Sequence, residues 1–163
     1  MAPLLWYFWI YSFFGWLVEL VFAAATRSED RRRRCLLFLP LCPVYGLGML
    51  AVLVLPPMGG LELVVSGGLA ATAVEYAYHW AGEQFLSVRF WDYRQVPGNL
   101  RGRVCLPFTL AWGLLVWAAV RFVQPGAEAL AAGVPAWLTY VCLLVFTADL
   151  VCSLWFLRVT GDL

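Results

Sequence analysis

Lysine is absent from this chain, and charge of either sign is scarce. Eleven arginines and ten acidic residues make up 13% of 163 residues, against 63% hydrophobic residues and a mean hydropathy of +0.80. Soluble domains carry about a quarter charged residues, and a small one needs them to cover its surface. An ordinary water-soluble domain is therefore excluded. A net charge of +1 gives no general attraction to nucleic acid. No glycine-rich phosphate loop of the Walker type occurs, so an ATP-driven role would need a separate ATPase subunit. The length accommodates about five apolar helices of ~20 residues and leaves no room for a soluble catalytic domain beside them.

What is present is a series of apolar runs. The reading is an all-α, polytopic integral membrane bundle, a single membrane domain over residues 1–163. Its predicted helices cover approximately 4–25, 36–55, 61–86, 104–123 and 137–157. The first run ends in Thr26 to Asp30 and the block Arg31 to Arg34. Positive charge after the run, rather than before it, argues for an uncleaved anchor over a signal peptide. The second run is interrupted by Pro40 and by Pro43-Val44-Tyr45-Gly46, so a kinked or re-entrant start is expected there. Ten arginines fall in the segments after the first and third runs and at the C-terminal end, and Arg121 alone falls near the opposite side. The positive-inside rule then predicts the N-terminus outside and the C-terminus cytoplasmic, in the cell membrane. Trp6, Trp9 and Trp137 would lie at outer ends and Trp80 and Trp155 at inner ends.

Ionisable residues within spans are costly and therefore functional candidates. Glu19 is fifteen residues past Leu4, Glu75 fourteen past Leu61 and Asp149 twelve past Trp137. At ~1.5 Å per residue all three sit about 18–22 Å below the outer ends, and a shared polar pocket is expected in the cytoplasmic half. Thr72, Glu75, His79 and Glu83 line one helix face at three- and four-residue spacing. Glu75 and His79 have the spacing of a helical metal pair, but one histidine makes no strong site, and no metal is assigned. Cofactors are left open. The five cysteines form no disulfide framework, and Cys42 and Cys105 could border one inner vestibule. In the segment 90–105, Asp92 and Arg103 are read as an ion pair, because an arginine at a helix start opposes the dipole and needs an acidic partner. Glu19, Glu75 or a lipid headgroup could also supply that partner.

Several ordered motifs carry a resemblance: Tyr11-Ser12-Phe13-Phe14-Gly15-Trp16-Leu17-Val18-Glu19; Cys42-Pro43-Val44-Tyr45-Gly46-Leu47-Gly48; Glu75-Tyr76 with Trp80 and Glu83; Trp91-Asp92-Tyr93; Asn99-Leu100-Arg101-Gly102-Arg103-Val104-Cys105-Leu106; and Trp112-Gly113. Over residues 11–113 the chain resembles the CmpB-like, ABC-transporter type IV family, to which vertebrate transmembrane protein 229 is similar. The resemblance implies a small polytopic membrane protein named as a permease component. It singles out Glu19, Cys42, Tyr45, Glu75, Asp92, Asn99 and Arg103, to which Trp91 and Cys105 are added from the same motifs. Departures are Leu39-Pro40-Leu41 ahead of the Cys-Pro turn, Arg94 after Trp-Asp-Tyr, and His79 where glycine is common.

Three functions fit these residues. A transport permease would use the inner-half acids and Arg103 as a substrate or proton site, working with an ATPase subunit or as a homo-oligomer. A membrane-embedded enzyme at the cytoplasmic leaflet would use Glu19 or Glu75 as acid or base, Arg103 as anion clamp and Cys42 or Cys105 as nucleophile. In a scaffold or accessory subunit, the same charges would only lock helices together. The partner common to all three is the lipid bilayer.

Overall fold

The computed structural model of the chain describes residues 2–26 and 36–160. Arg27, the block Arg31 to Arg34 and Cys35 lie outside the described residues. Helix α1 (Ala2–Thr26) is followed, from residue 36, by an irregular stretch, then by α2 (Pro43–Leu53) and α3 (Gly60–Ala81), which widens into a π turn over Gly82–Leu86. A two-stranded hairpin pairs β1 (Asn99–Leu100) with β2 (Val104–Cys105) antiparallel, and α4 (Leu106–Ala118) leaves directly from β2. A second π turn (Ala119–Val123) joins α4 to α5 (Gln124–Gly133), and α6 (Ala136–Thr160) closes the described chain.

Three boundaries differ from the sequence reading, and proline explains the first two. The predicted second helix begins not at residue 36 but at Pro43, and it is only 11 residues long. A residue preceding proline avoids the α region, which keeps Cys42 extended, whereas proline at the first helical position costs no hydrogen bond. Cys42 accordingly has φ −113° and ψ 93°. At about 16 Å, α2 is too short to span a bilayer. Conversely, the predicted fourth helix does not stop at residue 123. Pro125 has no N–H to give to the carbonyl of Arg121, yet the chain absorbs the misfit in the π turn and runs on to Gly133. Leu106–Gly133 thus forms one helix, and Arg121 lies within its π turn rather than at a helix end. Residues 104 and 105, expected in that helix, are in β2.

Counted this way there are five helices among the described residues. Three are long and apolar enough to cross a membrane: Ala2–Ala25, Leu106–Gly133 and Ala136–Thr160. Helix α3 is long enough at 22 residues but carries Glu62, Glu75 and His79, and it occupies the middle of the packing. Helix α4 packs on α3, α3 on α2 and α2 on α1, while α6 touches the rest chiefly through α1. In hydrocarbon, helices associate through close packing rather than through apolar burial, so small residues mark the contacts. Where α3 crosses α4, a Cβ on Gly68 would stand 3.0 Å from the Gly113 backbone, and one on Gly113 would stand 2.4 Å from the Val64 carbonyl oxygen.

That crossing has no slack, because the obstructing atoms are backbone. Gly113→Ala is expected to lower the stability of the detergent-solubilised protein by about 1–3 kcal/mol. Gly126→Ala, where nothing lies within 4 Å, is expected to leave it unchanged or slightly higher. Thermal unfolding of the two variants side by side checks both.

Candidate functional site

The centre of the bundle holds a carboxyl group with no solvent exposure at all, that of Glu75 on α3. The Trp112 indole Nε1–H of α4 donates to Glu75 Oε2 at 2.8 Å, and the Tyr93 hydroxyl reaches Oε1 at 3.4 Å. Glu19, on α1 and also buried, accepts a 2.7 Å bond from the Tyr45 hydroxyl of α2. The two acids are joined through rings: Tyr45 and Trp112 lie with centroids 4.7 Å apart. Tyr45 is seated by Gly15, where any Cβ would be 2.3 Å from its ring. Glu19 and Glu75 are thereby linked through two aromatic side chains. Asp149 does not join it. Its Oδ1 accepts the backbone N–H of Leu39 at 3.3 Å, and it pins the irregular stretch ahead of α2 against α6.

A second cluster centres on Glu83, in the π turn that ends α3. Arg103 donates to Oε2 through Nε at 2.8 Å and pairs through Nη2 at 2.7 Å, while Arg89 Nε lies 3.1 Å from Oε1. Arg103 Nη1 also donates to the Tyr76 hydroxyl at 2.6 Å, with the guanidinium 5.0 Å from that ring's centre. Bonding to Glu83 raises the Arg103 pKa above its ordinary value and keeps the group charged. The expected Asp92–Arg103 pair is therefore not formed. Asp92 pairs instead with Arg94, whose Nε lies 2.8 Å from Oδ2 and whose backbone N–H donates to Oδ1 at 2.9 Å. A partner two residues away within the same turn costs less ordering than one eleven residues on.

The remaining candidates divide between architecture and the edge of the clusters. Trp91 packs against His79 with ring centroids 4.8 Å apart and donates its Nε1–H to the Arg103 carbonyl at 2.7 Å. Asn99 latches the hairpin: its Nδ2 donates to the Val96 carbonyl at 2.8 Å, and its Oδ1 accepts from Gly102 N–H at 3.1 Å. Arg101 and Gly102, both with positive φ, make that turn. Cys42 and Cys105 are both buried and each caps the start of a helix, α2 and α4. Cys42 N–H donates to the Ser12 carbonyl at 2.8 Å, and the Cys105 carbonyl accepts from Thr109 Oγ1 at 3.2 Å. His79 Nε2 lies 3.5 Å from Glu83 Oε1, and its Nδ1 makes no hydrogen bond among the described residues. Among those residues no group of three or more His, Cys, Asp or Glu side chains is placed to hold a metal.

Trp112, Tyr93, Tyr76 and Glu83 complete the clusters and were not among the predicted site residues. Each stands in a motif of the resemblance or beside one, and Glu83 shares the helical face of Glu75, which was the available signal. Nothing in the sequence marks the buried 2.7 Å bond from the Tyr11 hydroxyl to Gln124, or the 2.9 Å bond from Gln124 to Glu128. Beside the first cluster, α1, α2 and α4 leave a groove of about 170 Å³ with an almost wholly apolar lining.

Buried carboxyl groups held inside a bundle with three apolar helices of spanning length define a membrane protein. A family model described as Putative ABC-transporter type IV (CmpB) matches residues 6–154, and the chain belongs to that family. It is in that sense a transporter-related membrane protein. Comparison with curated proteins and with solved structures gives no match.

Two outcomes test this geometry. Trp112→Phe removes the 2.8 Å bond to a carboxyl group that water does not reach. It is expected to lower stability by about 1–2 kcal/mol, whereas Tyr140→Phe, 71% exposed on α6, leaves the melting temperature unchanged. For Asp92, bonds from Arg94 depress the carboxyl pKa to about 2. What it contributes is then complete above its ordinary pKa of 3.8 and lost only as pH falls toward 2. Chemical shifts of the 92–103 loop are therefore expected to stay constant from about pH 5 to pH 8; a titration of Asp92 within that range would contradict the Arg94 pairing.

Proposed function

We propose that the chain is a multi-pass permease component in the cell membrane, its N-terminus outside and its C-terminus cytoplasmic, folded as a single membrane domain. Its transport site is the cluster of Glu19, Tyr45, Trp112 and Glu75, in the cytoplasmic half of the bundle. The observation that carries this reading is the pair of buried acids on α1 and α3 joined through the rings of Tyr45 and Trp112. Two acids out of solvent are expensive to maintain in a membrane, and such groups recur along ion and substrate pathways. The short α2 with its irregular entry supports the same reading, since broken helices beside charged groups supply backbone polar atoms at depth. Family membership supports a transport role with a separate ATPase subunit as partner. The Glu83 and Arg103 cluster lies at the end of α3 and fixes the loop that covers the site from the cytoplasmic side.

Proteoliposomes loaded with a pH-sensitive dye test the proposal. An imposed proton gradient is expected to collapse at least tenfold faster with the protein than in empty vesicles. Glu19→Gln is expected to remove that difference while expression and thermal stability stay near normal. Equal flux in wild type and Glu19→Gln would refute the site. A fluorescent reporter fused after Leu163 is expected to be inaccessible to external protease in intact cells; cleavage there would reverse the orientation.

A further inference from the structure

We propose that the groove between α1 and the α4–α5 helix is a binding site for a single acyl chain of a membrane phospholipid, entered sideways from the bilayer. This is a property of the fold apart from transport. Helix α1 packs on α2 and α4 packs on α3, so α1 and α4 face each other with α2 as the back wall. Both rims continue into hydrocarbon-facing surface, with Phe14 on α1 43% exposed and Leu115 on α4 39% exposed.

Three residues that line the groove could have made it polar, and none does. Tyr11 turns its hydroxyl to Gln124 at 2.7 Å, Tyr45 turns its hydroxyl to Glu19 at 2.7 Å, and Trp112 turns its N–H to Glu75 at 2.8 Å. Each offers the groove only a ring face. A site built for a polar solute would leave at least one such atom pointing inward, because convergent polar groups are what orient polar ligands.

Depth and size identify the occupant. The lining on α1 runs from Tyr11 to Val18, about 13–24 Å from the Ala2 end of a helix some 37 Å long. That places the groove in the middle of a hydrocarbon layer about 30 Å thick, where lipid tails reach and headgroups do not. Its volume of about 170 Å³ is close to that of an engineered apolar cavity of ~150 Å³ that admits benzene, so it takes a short segment of one chain, the rest lying along the rim, and it is far too small for a helix ~10 Å across. The wall on this side includes the π turn, whose first and last residues, Ala119 and Val123, both line the groove. Turns of this kind inside α-helices concentrate at functional sites.

The test is photo-crosslinking in vesicles of phosphatidylcholine carrying a diazirine near the end of one acyl chain, with labelled residues located by mass spectrometry. Met49 and Val116 line the groove and are 5% and 1% exposed, while Leu144 on α6 is 71% exposed to lipid. Labelling of Met49 and Val116 is expected to equal or exceed that of Leu144. Ala119→Phe, which fills the groove from the π turn, is expected to reduce groove labelling at least fivefold while Leu144 is unaffected. Should that variant fail to fold by its melting curve, Val18→Phe fills the groove from the opposite wall. Labelling confined to Leu144 and other exposed positions, or groove labelling unchanged in a folded, filled variant, would overturn the proposal.

Discussion

The Glu75 carboxyl group of α3, fully out of solvent and bonded from α4 and a loop, is the constraint around which the rest of this structure is arranged. A polar group at that depth costs several kcal/mol unless donors are brought to it. Trp112 and Tyr93 bring them from α4 and from the loop before the hairpin. For Trp112 to reach, α4 must lie close against α3, and the Gly68–Gly113 crossing is what permits that approach. For Tyr93 to reach, the loop must fold back over the end of α3, and the Glu83–Arg103 pairing and the Asn99 latch hold it there.

From that centre the arrangement propagates outward. Trp112, fixed by Glu75, presents its ring to Tyr45, and Tyr45, seated on Gly15, passes the connection to Glu19 on α1. Four helices that share one apolar core, from Tyr11 of α1 through Met49 and Ala71 to Val116 of α4, are in this way also tied through one chain of polar and aromatic side chains. The same orientation of rings strips polarity from the groove on the other side. Tyr45 and Trp112 thus line the apolar groove while their polar atoms hold the acids.

Much of this is legible in the sequence where the physics is local or one-dimensional. Scarce charge and long apolar runs establish the membrane class, and counting along each run places Glu19 and Glu75 at one depth. The same count places Asp149 there, and the structure sends it to the Leu39 backbone instead. Depth along a helix axis does not say which neighbour a side chain faces. Pro43 starts its helix seven residues later than the apolar run predicts, because proline at a first turn has one low-cost solution that hydrophobicity alone does not show. Pro125 has two, stopping the helix or passing through a π turn, and the choice is made by packing: Gln124, just past that turn, is held by Tyr11 of α1. Arg103 has an acidic partner, although it stands in the hairpin turn and not at the helix start from which that partner is expected. That the partner is Glu83 rather than Asp92 depends on a π turn and a loop fold that residue spacing does not encode.

The central claim is that Glu19 and Glu75 belong to one energetically connected unit. A double-mutant cycle measures this directly, with Glu19→Gln, Glu75→Gln and the combined variant unfolded reversibly in mixed micelles. The account requires the two changes to be non-additive, with a coupling of about 0.5 kcal/mol or more transmitted through Tyr45 and Trp112. Additivity within ~0.3 kcal/mol would contradict it and leave two independent buried acids that merely share a depth.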